Sequence, residues 1–392
     1  MRELSIPRQE YEQRQEDLIE QANADGYDGV VLFDSMSIEY ISGLFHLPTE
    51  RPLVLGVTAD ETHVVVPKLE QDHVERHDFT IDKTYSYFDY PQGEPLQLVA
   101  EMCAELGIND QTIAVDSDGS PPRNGYQGPS LSELISGTVG CEEYVTDMRE
   151  VKSENEVELI QEASMWANLG HQILQDKIAT GKRPITLCSE VEAEASARML
   201  DTLGDTYEMR TGDSPISCSF TTGEVTYRPH SVNMANRINK GDNIVTIVKA
   251  SVGGYQTELE RTMFVGEPDD KQRKFFKIMR EAQQTAIDTL ADGVPYARVE
   301  EAVLNVYEDH NVMEYNHHHI GHNIGMDFHE RPFLDVGYDG TLRAGELYTV
   351  EPALFVPDVG GFRHSDTVVV HNDGAERLTH YSRDLEDLII QV

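Results

Sequence analysis

Three histidines, His318, His322 and His329, recur at spacings of four and seven residues in one short segment, and Glu351 follows within Val350-Glu351-Pro352. Imidazole nitrogens and a carboxylate at this density supply proton acceptors and cation ligands, the equipment of a reaction site. On a helix the spacing would stack the rings along one face, but Gly321 and Gly325 point instead to a loop that converges them. A second set of charged groups falls on an expected hairpin, Asn243 to Ala250 and Tyr255 to Val265, around the turn Ser251-Val252-Gly253-Gly254. If the hairpin closes simply, Ala250 pairs with Tyr255 and Ile247 lies opposite Glu258. Strand alternation then gathers Ile247, Lys249, Gln256, Glu258 and Glu260 on one face. Two acids at i, i+2 with a lysine diagonally across are an unusual set for a buried face.

The elements that must hold these groups follow from periodicity. Arg8 to Ala24 reads as an amphipathic helix running into the apolar strand Gly29 to Phe33. Strands are expected at Pro52 to Val57 and His63 to Pro67 around the turn Thr58-Ala59-Asp60-Glu61, then a helix at Leu96 to Leu106 and a strand at Thr112 to Val115. This describes a small α/β domain, residues 1–147, with a loop at Ser117 to Gly125 inside it. The domain 148–392 opens with a capping box, Ser153 and Glu156, at the head of a long helix reaching about Ile178. Further helices are expected at Leu187 to Leu203, Asp270 to Ala291 and Tyr296 to Glu308. Besides the hairpin, strands are expected at Glu346 to Phe355 and Phe362 to Val370. Helices mixed with antiparallel strands make this domain α+β.

Composition narrows the function. Seventy acidic residues against 31 basic ones give a formal charge of −39, a field that repels nucleic acid and anionic membranes. Only ten lysines contribute, and such a carboxylate-coated surface suits a salt-adapted cytoplasm. No apolar run is long enough to span a bilayer, and the first residues lack a signal-peptide core, so an intracellular location is expected. Cys103, Cys141, Cys188 and Cys218 lack any C-x-x-C spacing and read as core thiols. The partner expected is a small molecule.

Five ordered motifs carry a resemblance. Gly241-Asp242, Gly254 to Thr262, His318 to His329, Val350-Glu351-Pro352 and Gly361-Phe362-Arg363-His364-Ser365-Asp366 resemble, in order and spacing, the C-terminal half of the Xaa-Pro peptidase, methionine aminopeptidase and creatinase superfamily. The opening of the long helix, Arg149 to Ile160, resembles that superfamily's domain junction. The resemblance implies a pita-bread fold behind an α/β N-terminal domain, as a homodimer. The peptidases hold two metal ions on two aspartates, the second histidine of H-x-x-x-H and two glutamates. Position by position these fall on Ile247, Glu258, His322, Glu351 and Ser365. Isoleucine offers no lone pair and a neutral hydroxyl is a poor ligand for a hard cation, so two ions about 3.5 to 4 Å apart are not expected. Lys249, with its ammonium set against Glu258, is expected to stand in for a metal charge.

Within the superfamily, Tyr255 to Phe264 is more similar to the hairpin of creatinase, which works without metal. The resemblance implies His230 as proton shuttle, Glu260 and Glu351 as substrate-orienting carboxylates, and Arg51 and Arg331 as carboxylate-binding arginines, with Tyr255, Gln256 and Lys249 lining the substrate. His318, His322 and His329 complete the catalytic set. The leading expectation is therefore a metal-independent amidinohydrolase or amidohydrolase, creatinase- or ectoine-hydrolase-like, cleaving a C–N bond of a small zwitterion. Gln256, where creatinases have tyrosine, and Ser365, where they have histidine, argue against creatine itself. The alternative is an Xaa-Pro dipeptidase or aminopeptidase with one divalent ion (Mn, Zn or Co) on Glu258, His322 and Glu351. A third reading is a catalytically degenerate binding protein.

Overall fold

The computed structural model describes residues 4–89, 93–120 and 128–392, so part of the expected loop, residues 121–125, lies outside the described residues. The chain divides into a unit of residues 6–149 and a unit of residues 150–392 that also takes in residues 4–5.

The first unit runs α1 (Arg8–Ala24), β1 (Gly29–Leu32), α2 (Ser35–Ser42), β2 (Val54–Val57), β3 (Thr62–Pro67), α3 (Gln71–Arg76), β4 (Lys83–Tyr87), α4 (Pro95–Glu105), β5 (Thr112–Val115), β6 (Thr138–Cys141) and α5 (Tyr144–Glu150). Its six strands form one sheet in the order β4-β3-β2-β1-β5-β6. Val31, Val54, Val65, Ile113 and Val115 from the sheet pack with Val99, Met102 and Cys103 of α4, as the apolar strand runs require.

The second unit opens with α6 (Glu154–Lys177), where Ser153 and Glu156 form the expected capping box. It continues through α7 (Pro184–Leu203), β7 (Ile216–Thr222), β8 (Asn243–Val252), β9 (Tyr255–Val265), α8 (Asp270–Thr289), α9 (Tyr296–Asp309), β10 (Gly321–Asn323) and β11 (Glu330–Leu334). The remaining strands are β12 (Leu347–Val350), β13 (Ala353–Val356), β14 (Gly360–Arg363), β15 (Ser365–His371), β16 (Gly374–Arg377) and β17 (Ile389–Ile390). Seven strands lie side by side as β11-β10-β12-β15-β9-β8-β7, with β16 on β15 and β17 on β9, while β13 and β14 pair separately. Helix α6 covers β8 and β9, and α7 covers β7.

Three local departures from expectation shape the site. The hairpin closes on two residues, Gly253 (φ 58°) and Gly254 (φ 88°), the left-handed pair that the right-handed twist of the strands selects. Val252 therefore pairs with Tyr255, Lys249 with Glu258 and Ile247 with Glu260, a register two residues away from the expected one. An even shift leaves every side chain on its expected face. Second, both long C-terminal strands are broken: Glu351-Pro352 separates β12 from β13, because proline has no N–H for the ladder, and His364 separates β14 from β15. Third, the histidine segment is only in part a loop: His318 precedes β10, His322 lies on it next to a register irregularity at Asn323, and His329 ends the loop that leads into β11.

The opposite face of the hairpin is pinned by Arg261, whose side chain is fully buried. It donates to Asp366 Oδ1 at 2.8 Å and to the carbonyls of Ser365, Tyr381 and Ser382, tying β9 to β15. Ser365 is thereby held opposite Glu260. Removing one partner of such a pair leaves a buried charge uncompensated. Arg261→Met is expected to lower the unfolding free energy by about 3–5 kcal/mol, read as a lower urea midpoint.

Candidate metal centre and its cavity

Alternation along β9 aims Glu258 and Glu260 away from α6 into a cavity of about 470 Å³. The wall also carries Glu351 and Arg363, each placed where one of the broken strands leaves the main sheet. His318, His319, His329 and His230 line it as well, with Ile247, Phe220, Val245 and Phe355 as apolar wall.

Glu258, His322 and Glu351 are buried and offer one ligand atom each within 4.8 Å of one another. His322 Nδ1 lies 3.0 Å from the carbonyl oxygen of Asn323, an acceptor only, so Nδ1 carries the proton and Nε2 presents a lone pair. That lone pair faces Glu351 Oε1 at 3.4 Å, and neither Nε2 nor Glu258 Oε1 has a hydrogen-bond partner. Three buried acceptors facing one another are reconciled by a shared proton or by a cation. The donor set, two carboxylates and one imidazole, fits a single divalent ion. It does not fit two: Ile247 and Ser365 flank Glu260 on the neighbouring strands, and neither is a ligand for a hard cation.

The loop that carries the imidazoles is braced from behind. Lys152 Nζ, buried, donates to Glu330 Oε2 at 2.9 Å and to Asn323 Oδ1. Glu330 Oε1 accepts from the Asp327 N–H at 2.8 Å. His329 stacks on His322 with ring centroids 3.8 Å apart. His318 Nδ1 is tied to the His319 carbonyl at 2.6 Å, which leaves Nε2 as an acceptor without a partner. Burial, then the Arg363 charge, pushes its pKa down to about 3, so it is neutral at pH 7. Fixed in that tautomer, His318 Nε2 can accept a proton or an N–H but cannot itself donate.

Other residues expected at the site are placed differently. Lys249 is the cross-strand partner of Glu258, yet its ammonium lies over the Phe328 ring, 3.4 Å from the centroid, and forms no ion pair with Glu258. This corrects the expected Lys249–Glu258 ion pair: the lysine side chain extends to Phe328 in the loop before β11 instead. Gln256 donates to the Met326 carbonyl at 2.7 Å and braces the histidine loop. Tyr255 is buried beside the hairpin turn. Arg331 pairs with Glu150 at 3.3 Å, and neither it nor Tyr255 or Gln256 lines the cavity. Arg51 belongs to the first unit, where it pairs with Glu50 and Asp89. His230 is exposed and sits on the cavity wall, in the segment between β7 and β8.

Arg363 is the site residue that sequence reading passed over. Its guanidinium forks onto Glu260 through Nε and Nη2, and Nη1 stands 3.9 Å from Glu351 Oε2. The signal was available: Arg363 alternates with Ser365, two residues apart, next to a hairpin rich in acids.

Fold and site together define a metallopeptidase-type architecture, and comparison with known proteins agrees. Residues 158–372, more than half of the chain, match metallopeptidase family M24, and residues 14–151 match the creatinase/prolidase N-terminal domain. The chain belongs to metallopeptidase family M24, with the pita-bread fold behind its α/β domain. It is 25% identical over 370 residues to an Xaa-Pro dipeptidase of Pyrococcus horikoshii, covering 94% of this chain and 97% of that protein. Among solved structures, an Xaa-Pro dipeptidase from Bacillus anthracis superposes with a TM-score of 0.81 at 22% identity, covering 98% of this chain and 100% of that one. The dipeptidase PepE from Mycobacterium ulcerans gives 0.82 at 23% identity, covering 99% and 100%.

These relatives overturn the leading expectation of a creatinase- or ectoine-hydrolase-like enzyme cleaving a small zwitterion. Full-length likeness runs to Xaa-Pro dipeptidases, within a family of metallopeptidases, and so supports the peptidase alternative. Replacement of two ligands by Ile247 and Ser365 does not empty the site of donors, because Glu258, His322 and Glu351 still converge.

Burial, and then the facing Glu258, pushes the Glu351 carboxyl up to about 8 against the pull of Arg363. Burial lowers the His322 pKa, so the imidazole is already neutral at pH 7. A cation needs the Glu351 carboxylate, so binding at pH 7 must displace its proton. Apparent affinity for Mn²⁺ is expected to rise by about tenfold per pH unit below pH 8 and to level off above it. Calorimetric titration at pH 7 in buffers of different ionisation enthalpy should show about one proton released per ion.

Proposed function

We propose that the chain is an exopeptidase acting on Xaa-Pro dipeptides, or on the first residue of Xaa-Pro peptides, with one divalent ion held by Glu258, His322 and Glu351. The observation that carries this reading is the His322 Nε2 lone pair set 3.4 Å from the Glu351 carboxylate beside an unpartnered Glu258 oxygen. Two carboxylates and an imidazole suit Mn²⁺, Zn²⁺ or Co²⁺. Bound there, such an ion supplies Lewis-acid chemistry, lowering the pKa of water and polarising a carbonyl.

The chain's own groups support the remaining duties. The neutral His318, with its Nε2 lone pair on the cavity wall, is suited to accept an N–H or a proton from the substrate. His329, stacked on His322, holds that ligand's ring in place. Arg363, engaged on Glu260, places a fixed positive charge beside Glu351 on the cavity wall. The apolar wall of Phe220, Val245, Ile247 and Phe355 excludes water from one side, which suits a small side chain or a prolyl ring. A cavity of about 470 Å³ matches a short peptide better than a folded protein. The −39 formal charge is likewise at odds with a nucleic-acid substrate.

Chelator-treated protein should lose cleavage of Xaa-Pro dipeptides and regain it at one Mn²⁺, Zn²⁺ or Co²⁺ per chain, counted by elemental analysis. His322→Ala should lower kcat/KM by more than about a hundredfold with the fold intact by circular dichroism. Chelator-resistant turnover, or an absence of Xaa-Pro cleavage in the metal-loaded protein, would contradict the reading.

A further inference from the structure

Three buried carboxylates border the cavity, but only two belong to the converging donor set. Glu260, 1% exposed, is the third. Arg363 holds it through both oxygens: Nη2 donates to Oε1 at 2.5 Å, and Nε lies in ion-pair contact with Oε2, which accepts no hydrogen bond. The same guanidinium reaches toward Glu351 with Nη1, 3.9 Å from Oε2. It therefore stands between two carboxylates, in the position a bridging cation would take. Around it, Ile247 and Ser365 are the cross-strand neighbours of Glu260, and the buried Ser365 hydroxyl has no hydrogen-bond partner. Lys249, on the same face of the hairpin, places its ammonium over the Phe328 ring.

We propose that Arg363 is the built-in second cation of this centre: it withdraws Glu260 from the donor set, bridges toward Glu351, and so restricts the site to one exchangeable ion. The chemistry is that of a permanently charged, planar group whose fork matches a carboxylate in two directions. A fixed guanidinium needs no metal supply and cannot be chelated away. It also repels a second divalent ion at close range, because like charges in a poorly screened cavity oppose each other strongly. The proposal rests on the single-ion reading above and adds the residue that sets the stoichiometry.

The test is calorimetric titration of the metal-free, full-length protein with Mn²⁺ alone. Wild type is expected to bind one equivalent. Arg363→Met is expected to bind a second equivalent on the freed Glu260, or to bind the first more than about tenfold tighter. A curve within tenfold of wild type, with unchanged stoichiometry, overturns the proposal. Because Arg363→Met leaves Glu260 buried without its partner, Glu260→Gln combined with Arg363→Met removes both charges together. That protein is expected to bind one equivalent more than about tenfold tighter than wild type, and a wild-type curve again overturns the proposal. Should wild type bind no Mn²⁺, the single-ion reading fails by itself. The role of Arg363 is then decided by whether Arg363→Met gains an equivalent, which supports it, or still binds none, which overturns it.

Discussion

Repulsion among Glu258, Glu260 and Glu351, held around one cavity away from bulk water, is the constraint on which the second unit depends. Left alone, they would keep their protons or force the cavity open to solvent. Each is instead assigned a different answer. Glu260 is forked by Arg363, Glu351 is raised toward protonation, and Glu258 converges with it on the lone pair of His322. The net charge of −39 cannot help, since its field has the same sign as the groups to be offset. Compensation has to come from within a few ångströms, which explains why so many bonds behind the cavity serve only to fix the angle of a ring or a fork.

That fixing is done by backbone as much as by side chains. Glu351 and Arg363 sit at the two points where long strands leave the main sheet for the small β13–β14 pair. At such a break a side chain need not stand normal to the sheet, so groups from separate strands can turn toward one point. The same two breaks that interrupt the ladders thus allow residues from β9, β12, β14 and the histidine loop to converge.

Much of this was legible in the sequence, and the rest was hidden for identifiable reasons. The capping box of α6, the helices and the acid-bearing face of the hairpin follow from periodicity and local hydrogen-bond chemistry. Glu258, His322 and Glu351 could be named together because their motifs stand in a known order. The hairpin register could not be fixed, because a turn of two residues and one of four give the same alternation. Strand breaks at Pro352 and His364 were read as continuous strands, since the apolar pattern carries through both. Lys249 was assigned to Glu258 on proximity, but pairing depends on what else lies within reach, and Phe328 arrives from a loop some 80 residues away. Arg363 is not evident from sequence because its partner, Glu260, lies a hundred residues earlier and tertiary contacts of β14 and β15 with β9 bring them together. The reading of the site as metal-free came from weighing the two missing ligands more heavily than the three that remain.

The Gly253-Gly254 turn carries a consequence for how this hairpin can change. Alternation means that one inserted or deleted residue between Lys249 and Glu258 would swing the acids of one strand under α6 and bring Thr257 and Arg261 into the cavity. Two residues would restore the parity. Turn length is therefore tied to side-chain direction: a single-residue change has to be absorbed by a bulge before it reaches the carboxylates.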